Sequence, residues 1–213
     1  MTRSIYMTSP SNACVIGRVR DEFGWMSNMS AHPIRLNGMD APVTWPTAEH
    51  LFQATRFLNE EIRELIRVER SPMSAKMVAK VHAQFMTRNP RSEEDLDMLR
   101  VVLRYKLSQH CDLQRKLLAT GTRHIVEDCS RRATESGLFW GACRDPDGTW
   151  RGQNMLGCAW MELRKELRPT ISVDVPPQTA DQRERRELGP ITVSVVRTQL
   201  VPGVVVEGIV DVD

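Results

Sequence analysis

Glu49, Phe52, Gln53 and Arg56 stand at offsets of three, four and seven along the chain. On a helix that spacing puts a carboxylate, an aromatic ring, an amide and a guanidinium on one face. Such a face could line a pocket for a flat, polar ligand, and it also describes a solvated surface carrying a Glu–Arg pair. Glu49 falls in the first turn, where the helix dipole favours negative charge. His50 lies one residue further round, a place for a hydrogen-bonded boundary histidine as well as for a catalyst. Phe23-Gly24-Trp25-Met26-Ser27-Asn28 sets two aromatics among small residues, a loop able to cradle a base or simply to bury its rings in a turn. A third cluster joins Phe139-Trp140-Gly141 to Gly152-Gln153-Asn154. Gly152 and Asn154 precede a helix start, where free amide N–H groups bind phosphate or where Asn154 acts as a plain cap.

The elements that must hold these residues follow from periodicity. Residues 13–17 read as a short strand, and residues 33–45 as a hairpin turned at Asn37-Gly38. Thr47 caps a helix with Ala48, Leu51, Thr55 and Leu58 as its core stripe. A second helix spans 60–69 with Ile62, Leu65 and Ile66 inward. Ser71 and Pro72 start a third. Ser92 caps a long helix to about His110, with Leu96, Leu99, Leu103 and Leu107 on one face. Another helix runs from Asp112 to a stop at Gly121. Strands are expected at His124–Glu127 and Leu138–Gly141, a turn at Asp145–Gly148, and a last helix capped by Asn154 and ended by Pro169. The fold class is α+β, mainly helical, with a small sheet and a β-rich C-terminal tail. One domain is expected over 1–168, a polar linker over 169–190 and a β-rich extension over 191–213, whose valine-rich segments would add strands or pair with another chain.

The chain of 213 residues is 41% hydrophobic and 26% charged, with a net charge of +2. That balance suits a buried core and argues against a broad nucleic-acid surface, while leaving room for a small phosphorylated ligand. Five scattered cysteines without a Cys-x-x-Cys pair point to free thiols in a reducing cytoplasm rather than to disulfides or zinc. No secretion signal or membrane span is read, and neither metal nor cofactor is expected.

Taken in order, the motifs resemble the YbiA-like (NADAR) family. They are Phe23–Asn28, Trp45-Pro46-Thr47-Ala48-Glu49-His50 running on to Ala54, Ser71–Met73, Leu117–Thr120, Trp140-Gly141, Gly152–Gly157 and Met161–Arg164. The resemblance spans roughly residues 13–168 and implies a compact helical α+β fold and cleavage of N-glycosidic bonds. Breaking such a bond builds positive charge on the ribose, which a carboxylate stabilises while it activates water; Glu49 takes this role. Trp140, Phe23 and Trp45 are the stacking candidates, and Asn28 and Gln53 the hydrogen-bonding ones. Arg56, Lys76 and the Gly152–Asn154 turn are the phosphate candidates, and Gly24, Ser27, His50 and Gly141 complete the expected pocket. The chain departs from the family where Arg56 replaces a usual lysine, an amine able to form a Schiff base as arginine cannot; Lys76 is the amine left for that task. Met29 and Ala142-Cys143 depart as well. The resemblance implies two activities, hydrolysis of a riboflavin-pathway ribosylamino-pyrimidine phosphate or removal of ADP-ribose from guanine; the departure at Arg56 keeps open a third reading, a module that has lost catalysis and binds ADP-ribose or a nucleotide, with the tail as an assembly contact. Partners are then a small nucleoside-like substrate, nucleic acid only if ADP-ribosylated, and no membrane.

Overall fold

The computed structural model describes residues 5–7, 12–37 and 41–168. Along the chain run β1 (Ile5–Met7), β2 (Cys14–Ile16), β3 (Ile34–Leu36), β4 (Val43–Trp45), α1 (Ala48–Ala54), α2 (Glu60–Arg67), α3 (Pro72–Val81), α4 (Glu93–Gln109), α5 (Cys111–Ala119), β5 (Ile125–Glu127), α6 (Glu135–Trp140), β6 (Ala142–Arg144), β7 (Trp150–Gly152) and α7 (Met155–Leu167). The expected linker and β-rich extension, and Gly38 of the hairpin turn, lie outside the described residues.

Helix starts follow the capping signals. The side chains of Thr47, Ser71 and Ser92 accept from the N–H groups of His50, Ser74 and Asp95, each cap worth about 1 kcal/mol. The leucine stripe of α4 is buried throughout, and its Leu99, Leu103 and Leu107 pack into a core with Leu156, Ala159, Trp160 and Leu163 of α7 and with Leu51 and Phe52 of α1. At the rim, Arg100–Glu162 and Arg104–Glu166 pair α4 with α7.

Several sequence expectations are corrected. Leu58 is 79% exposed and Leu65 48%. The first falls beyond the end of α1 at Ala54, and the second sits off the stripe by which α2 buries Ile62 and Ile66. The strand expected at Leu138–Gly141 is instead the end of α6, because Thr134 caps a helix by accepting from Gly137 N–H. The strand begins after it, at Ala142, and turns through Asp145–Gly148 into β7. There are three small sheets among the described residues rather than one: β1-β7-β6, antiparallel; β2 with β5, parallel; and β3 with β4, antiparallel, with Ile34 opposite Trp45. No helix among the described residues is long and apolar enough to cross a membrane.

Candidate active site

The predicted face exists, with Glu49 and Gln53 on α1 and Arg56 in the turn just after it, and it is buried: Glu49, Gln53 and Arg56 are each less than a tenth exposed. They form a relay. Gln53 Nε2 donates to Glu49 Oε1 (2.8 Å), Arg56 Nη1 donates to Gln53 Oε1 (2.7 Å), and Arg56 Nε and Nη2 fork onto the two oxygens of Asp95 (2.9 and 2.7 Å). The guanidinium also lies over the Phe52 ring at 4.6 Å. With its nitrogens engaged in this way, Arg56 organises the helix and is not placed to hold a substrate phosphate, which corrects the expectation for it. Glu49 Oε2 carries no hydrogen bond among the described residues.

A second carboxylate, which the residue pattern did not single out, feels the charge of Glu49. Glu127 ends β5, and its N–H donates to Asn154 Oδ1 (2.9 Å), while Asn154 Nδ2 donates to Ile125 O (2.8 Å). Burial, and next the negative charge of Glu49, push the Glu127 carboxyl up to about 7, against the pull of Lys76. Glu49 of α1 and Lys76 of α3, an exposed residue, therefore both act on the Glu127 carboxyl at the end of β5. Trp140 stands edge-on to Phe52, ring centroids 5.7 Å apart. Gly141 has no room for a side chain, since a Cβ there would lie 2.4 Å from Glu127 O.

The Phe23–Asn28 loop supplies the remaining wall. Its four consecutive carbonyls from Trp25 to Asn28 are all bound. Lys106 Nζ donates to Trp25 O (2.5 Å) and Ser27 O (3.1 Å), Trp160 Nε1 to Met26 O (2.9 Å), and Glu49 N–H to Asn28 O (2.9 Å). Asn28 Oδ1 is buried without a partner, a cost of about 1–3 kcal/mol that a ligand N–H would remove. Phe23 is partly buried under Arg123, whose guanidinium carbon is 5.3 Å from the ring centroid. Ser27 Oγ accepts from Met29 N–H.

Lys106 is fully buried, and burial alone pulls its amine down from 10.5 to about 7. Because the fold disfavours the charged form, that penalty is complete below about pH 7 and relaxes as the unfolded chain loses the same proton toward 10.5. Stability should therefore rise between those limits by up to about 1.4 kcal/mol per pH unit. Urea unfolding of wild type and Lys106→Met at successive pH values checks this: parallel curves would refute it.

Five predicted site residues have structural contacts instead. Trp45 is 3% exposed and packs in the core, which takes it out of reach for stacking. His50 uses both ring nitrogens, on Thr47 Oγ1 (2.8 Å) and Glu69 O (3.1 Å), and burial lowers its pKa. At Gly24 a Cβ would lie 2.2 Å from Val19 O, and at Gly152 2.4 Å from Gly141 O, so both serve close packing. The Gly152–Asn154 turn has spent its amides, because Gln153 N–H donates to Leu138 O and Asn154 N–H to Gly141 O. Asn154 does not cap α7 either; its side chain crosses to β5.

Beside α6 lies a groove of about 490 Å³ that includes Arg91, Glu135, Phe139 and Arg151 in its lining.

The NADAR domain model matches residues 16–168. N-glycosidase YbiA of Escherichia coli (strain K12) is 39% identical over 147 residues, covering 69% of this chain and 83% of that protein. N-glycosidase Npun_R5314 of Nostoc punctiforme is 30% identical over 73% of this chain and 93% of its own. The chloroplastic riboflavin biosynthesis protein PYRR of Zea mays is 29% identical over 76% of this chain and 26% of its own. The NMR structure of E. coli YbiA superposes with a TM-score of 0.57 at 35% identity, over 76% of this chain and 89% of that one. The mainly helical α+β architecture with small sheets is the fold of that structure, and the chain belongs to the NADAR domain family.

Proposed function

We propose that this protein hydrolyses the N-glycosidic bond of a ribosylated base, with a riboflavin-pathway ribosylamino-pyrimidine phosphate as its substrate. The observation that carries the reading is the Glu49–Glu127 pair: two carboxylates from different elements, one of them raised to about 7 by burial and by the other. A carboxyl held near neutrality can serve as the acid while a second carboxyl beside it faces the ribose. Glu49, as carboxylate, stabilises the positive charge growing on the ribose and takes a proton from the incoming water. Glu127, held near 7 and so still carrying its proton in a large fraction of molecules at neutral pH, delivers a proton to the departing base. Trp140, packed T-shaped against Phe52, is the aromatic side chain for that base, and Asn28 Oδ1 an unpartnered acceptor. Lys76 takes the 5′-phosphate; were it deprotonated, it would be the amine able to attack C1′, and only that route lets borohydride trap the sugar on Lys76.

The substrate assignment draws on relatives named for riboflavin biosynthesis and for N-glycosidase activity. A second reading, removal of ADP-ribose from guanine, is favoured by the arginine-bearing groove next to α6. Side-by-side measurement of free base released from the pyrimidine phosphate and from ADP-ribosylated guanine in DNA separates the two. Faster release from the first is expected. Faster release from the second selects the alternative, and release from neither, with ADP-ribose still bound, leaves a binding module.

A further inference from the structure

Glu127 ends a strand of only three residues, so the direction in which its carboxyl leaves β5 depends on how firmly that strand is gripped. One edge is tied to β2: Cys14 N–H donates to His124 O (2.8 Å) and Asp128 N–H to Ile16 O (2.9 Å). The other edge is taken by a single side chain. Asn154 Nδ2 donates to Ile125 O (2.8 Å), and Asn154 Oδ1 accepts from Glu127 N–H (2.9 Å). The carboxamide stands where the peptide group of a neighbouring strand would stand, with a donor and an acceptor side by side. Just past it β6 takes over, where Cys129 N–H donates to Ala142 O (2.9 Å).

The grip is closely built. Asn154 is 1% exposed and has a left-handed backbone, φ 54°, which asparagine tolerates better than most residues but not without strain. Its main chain is fixed as well: its N–H donates to Gly141 O (3.0 Å), and its carbonyl accepts from Cys158 N–H (2.9 Å). The bond to Gly141 joins the same residue to the end of α6, which carries Trp140. Gly157, in the first turn of α7, leaves the room. A Cβ there would lie 2.5 and 2.6 Å from the two amide atoms of Asn154 and 2.2 Å from Ile125 O. The chemistry is specific to an amide. An ionised aspartate could accept from Glu127 N–H but could not donate to Ile125 O, and a glycine could do neither.

We infer that Asn154 is a positioning residue for the proposed acid, its amide fixing the backbone of Glu127 so that the carboxyl keeps its buried place relative to the end of α6. The inference rests on the reading of Glu127 as proton donor, and it gives Asn154 no contact with substrate. The charged groups that act on Glu127 come from other elements, Glu49 of α1 and Lys76 of α3. A change at Asn154 leaves both in the chain and acts through the position and burial of Glu127.

The test uses the full chain, carbon-labelled at the glutamate carboxyls, and follows Glu127 by NMR titration against pH alongside turnover. Asn154→Gly accepts the left-handed backbone and removes the amide. In it Glu127 should titrate lower than in wild type, toward the ordinary 4.5, because a carboxyl free to reach water loses the burial that raises it. The kcat for base release should fall about ten- to a hundredfold, with KM little changed. Asn154→Asp keeps the acceptor for Glu127 N–H and should retain more turnover than Asn154→Gly. In a Glu127→Gln background neither substitution should slow release further, since the group that Asn154 positions is gone. A thermal melt verifies that each variant is folded, and should Asn154→Gly unfold, Asn154→Asp and its double variant decide. Glu127 titrating in Asn154→Gly as it does in wild type overturns the inference. So do losses that add in full to that of Glu127→Gln, which would make Asn154 a structural residue alone. Base release absent from wild type, with Glu127 still titrating lower in Asn154→Gly, overturns the glycosidase reading and leaves the positioning of the carboxyl standing.

Discussion

Glu127→Gln is expected to slow release of free base by about 10²–10⁴-fold, the usual contribution of a positioned acid, and to erase the fall in rate on the alkaline side of neutrality. The reason is the state of the carboxyl. Burial and Glu49 hold it near 7, so wild type loses its proton donor as pH rises through that value. Glu49→Gln should lower turnover comparably, because it removes the charge facing the ribose. It should also move the alkaline limb to lower pH, because the charge that helps raise Glu127 is gone. Stability should change in the opposite sense. A carboxyl raised in the fold contributes fully below its ordinary value of 4.5 and loses that contribution as pH rises through about 7. At pH 8 Glu127→Gln should accordingly be more stable than wild type by on the order of 1 kcal/mol, a trade of stability for function. An alkaline limb that survives in Glu127→Gln would remove Glu127 from the role of acid.

The largest loss of stability should come from Asp95→Asn. Asp95 is fully buried and accepts from Arg56 twice and from Arg91 N–H. The amide keeps the shape but leaves the Arg56 guanidinium buried without its counter-charge, and breaking one side of such a pair costs about 3–5 kcal/mol. That is a large share of a typical total of about 5–15 kcal/mol and corresponds to a fall in Tm of roughly 6–20 °C for a domain of this size. Loss of kcat should exceed the loss explained by unfolding, because Arg56 also orients Gln53 and through it Glu49. Calorimetric melting together with single-turnover rates measured well below the variant's Tm checks both parts. A Tm within a degree or two of wild type would contradict the burial argument.

What could be read from the sequence was local. Capping at Thr47, Ser71 and Ser92, the leucine stripe of α4 and the alternation of the β3–β4 hairpin each depend on residues within a few positions of one another, and the fold repeats them. The common face of Glu49, Gln53 and Arg56 was legible for the same reason. Its partners were not. Asp95 reads as one of three acidic residues suited to a helix start, and nothing in its spacing says that it crosses to Arg56. Glu127 lies at the end of a three-residue strand, with no periodicity to mark it. Lys106 interrupts no pattern visible along α4, yet it becomes the most deeply buried cation of the described residues. Asn154 carries a cap's identity at a cap's position, and only the approach of β5 redirects its side chain. The strand expected at Leu138–Gly141 failed because a short apolar run does not distinguish strand from helix, and the Thr134 cap decided it.

The bound carbonyls of Trp25 through Asn28 have a consequence for how ligands arrive. A loop ordered only by its ligand gives up about 1–2 kcal/mol of backbone freedom per residue at the moment of binding. Here that ordering is complete once the chain has folded, enforced by a lysine, an indole and the first turn of α1. A base bound as proposed would meet a wall already standing, so weak contacts would suffice to seat it. The disadvantage appears elsewhere, as an ammonium kept out of water in the middle of the molecule: readiness at the surface is secured by tension in the interior.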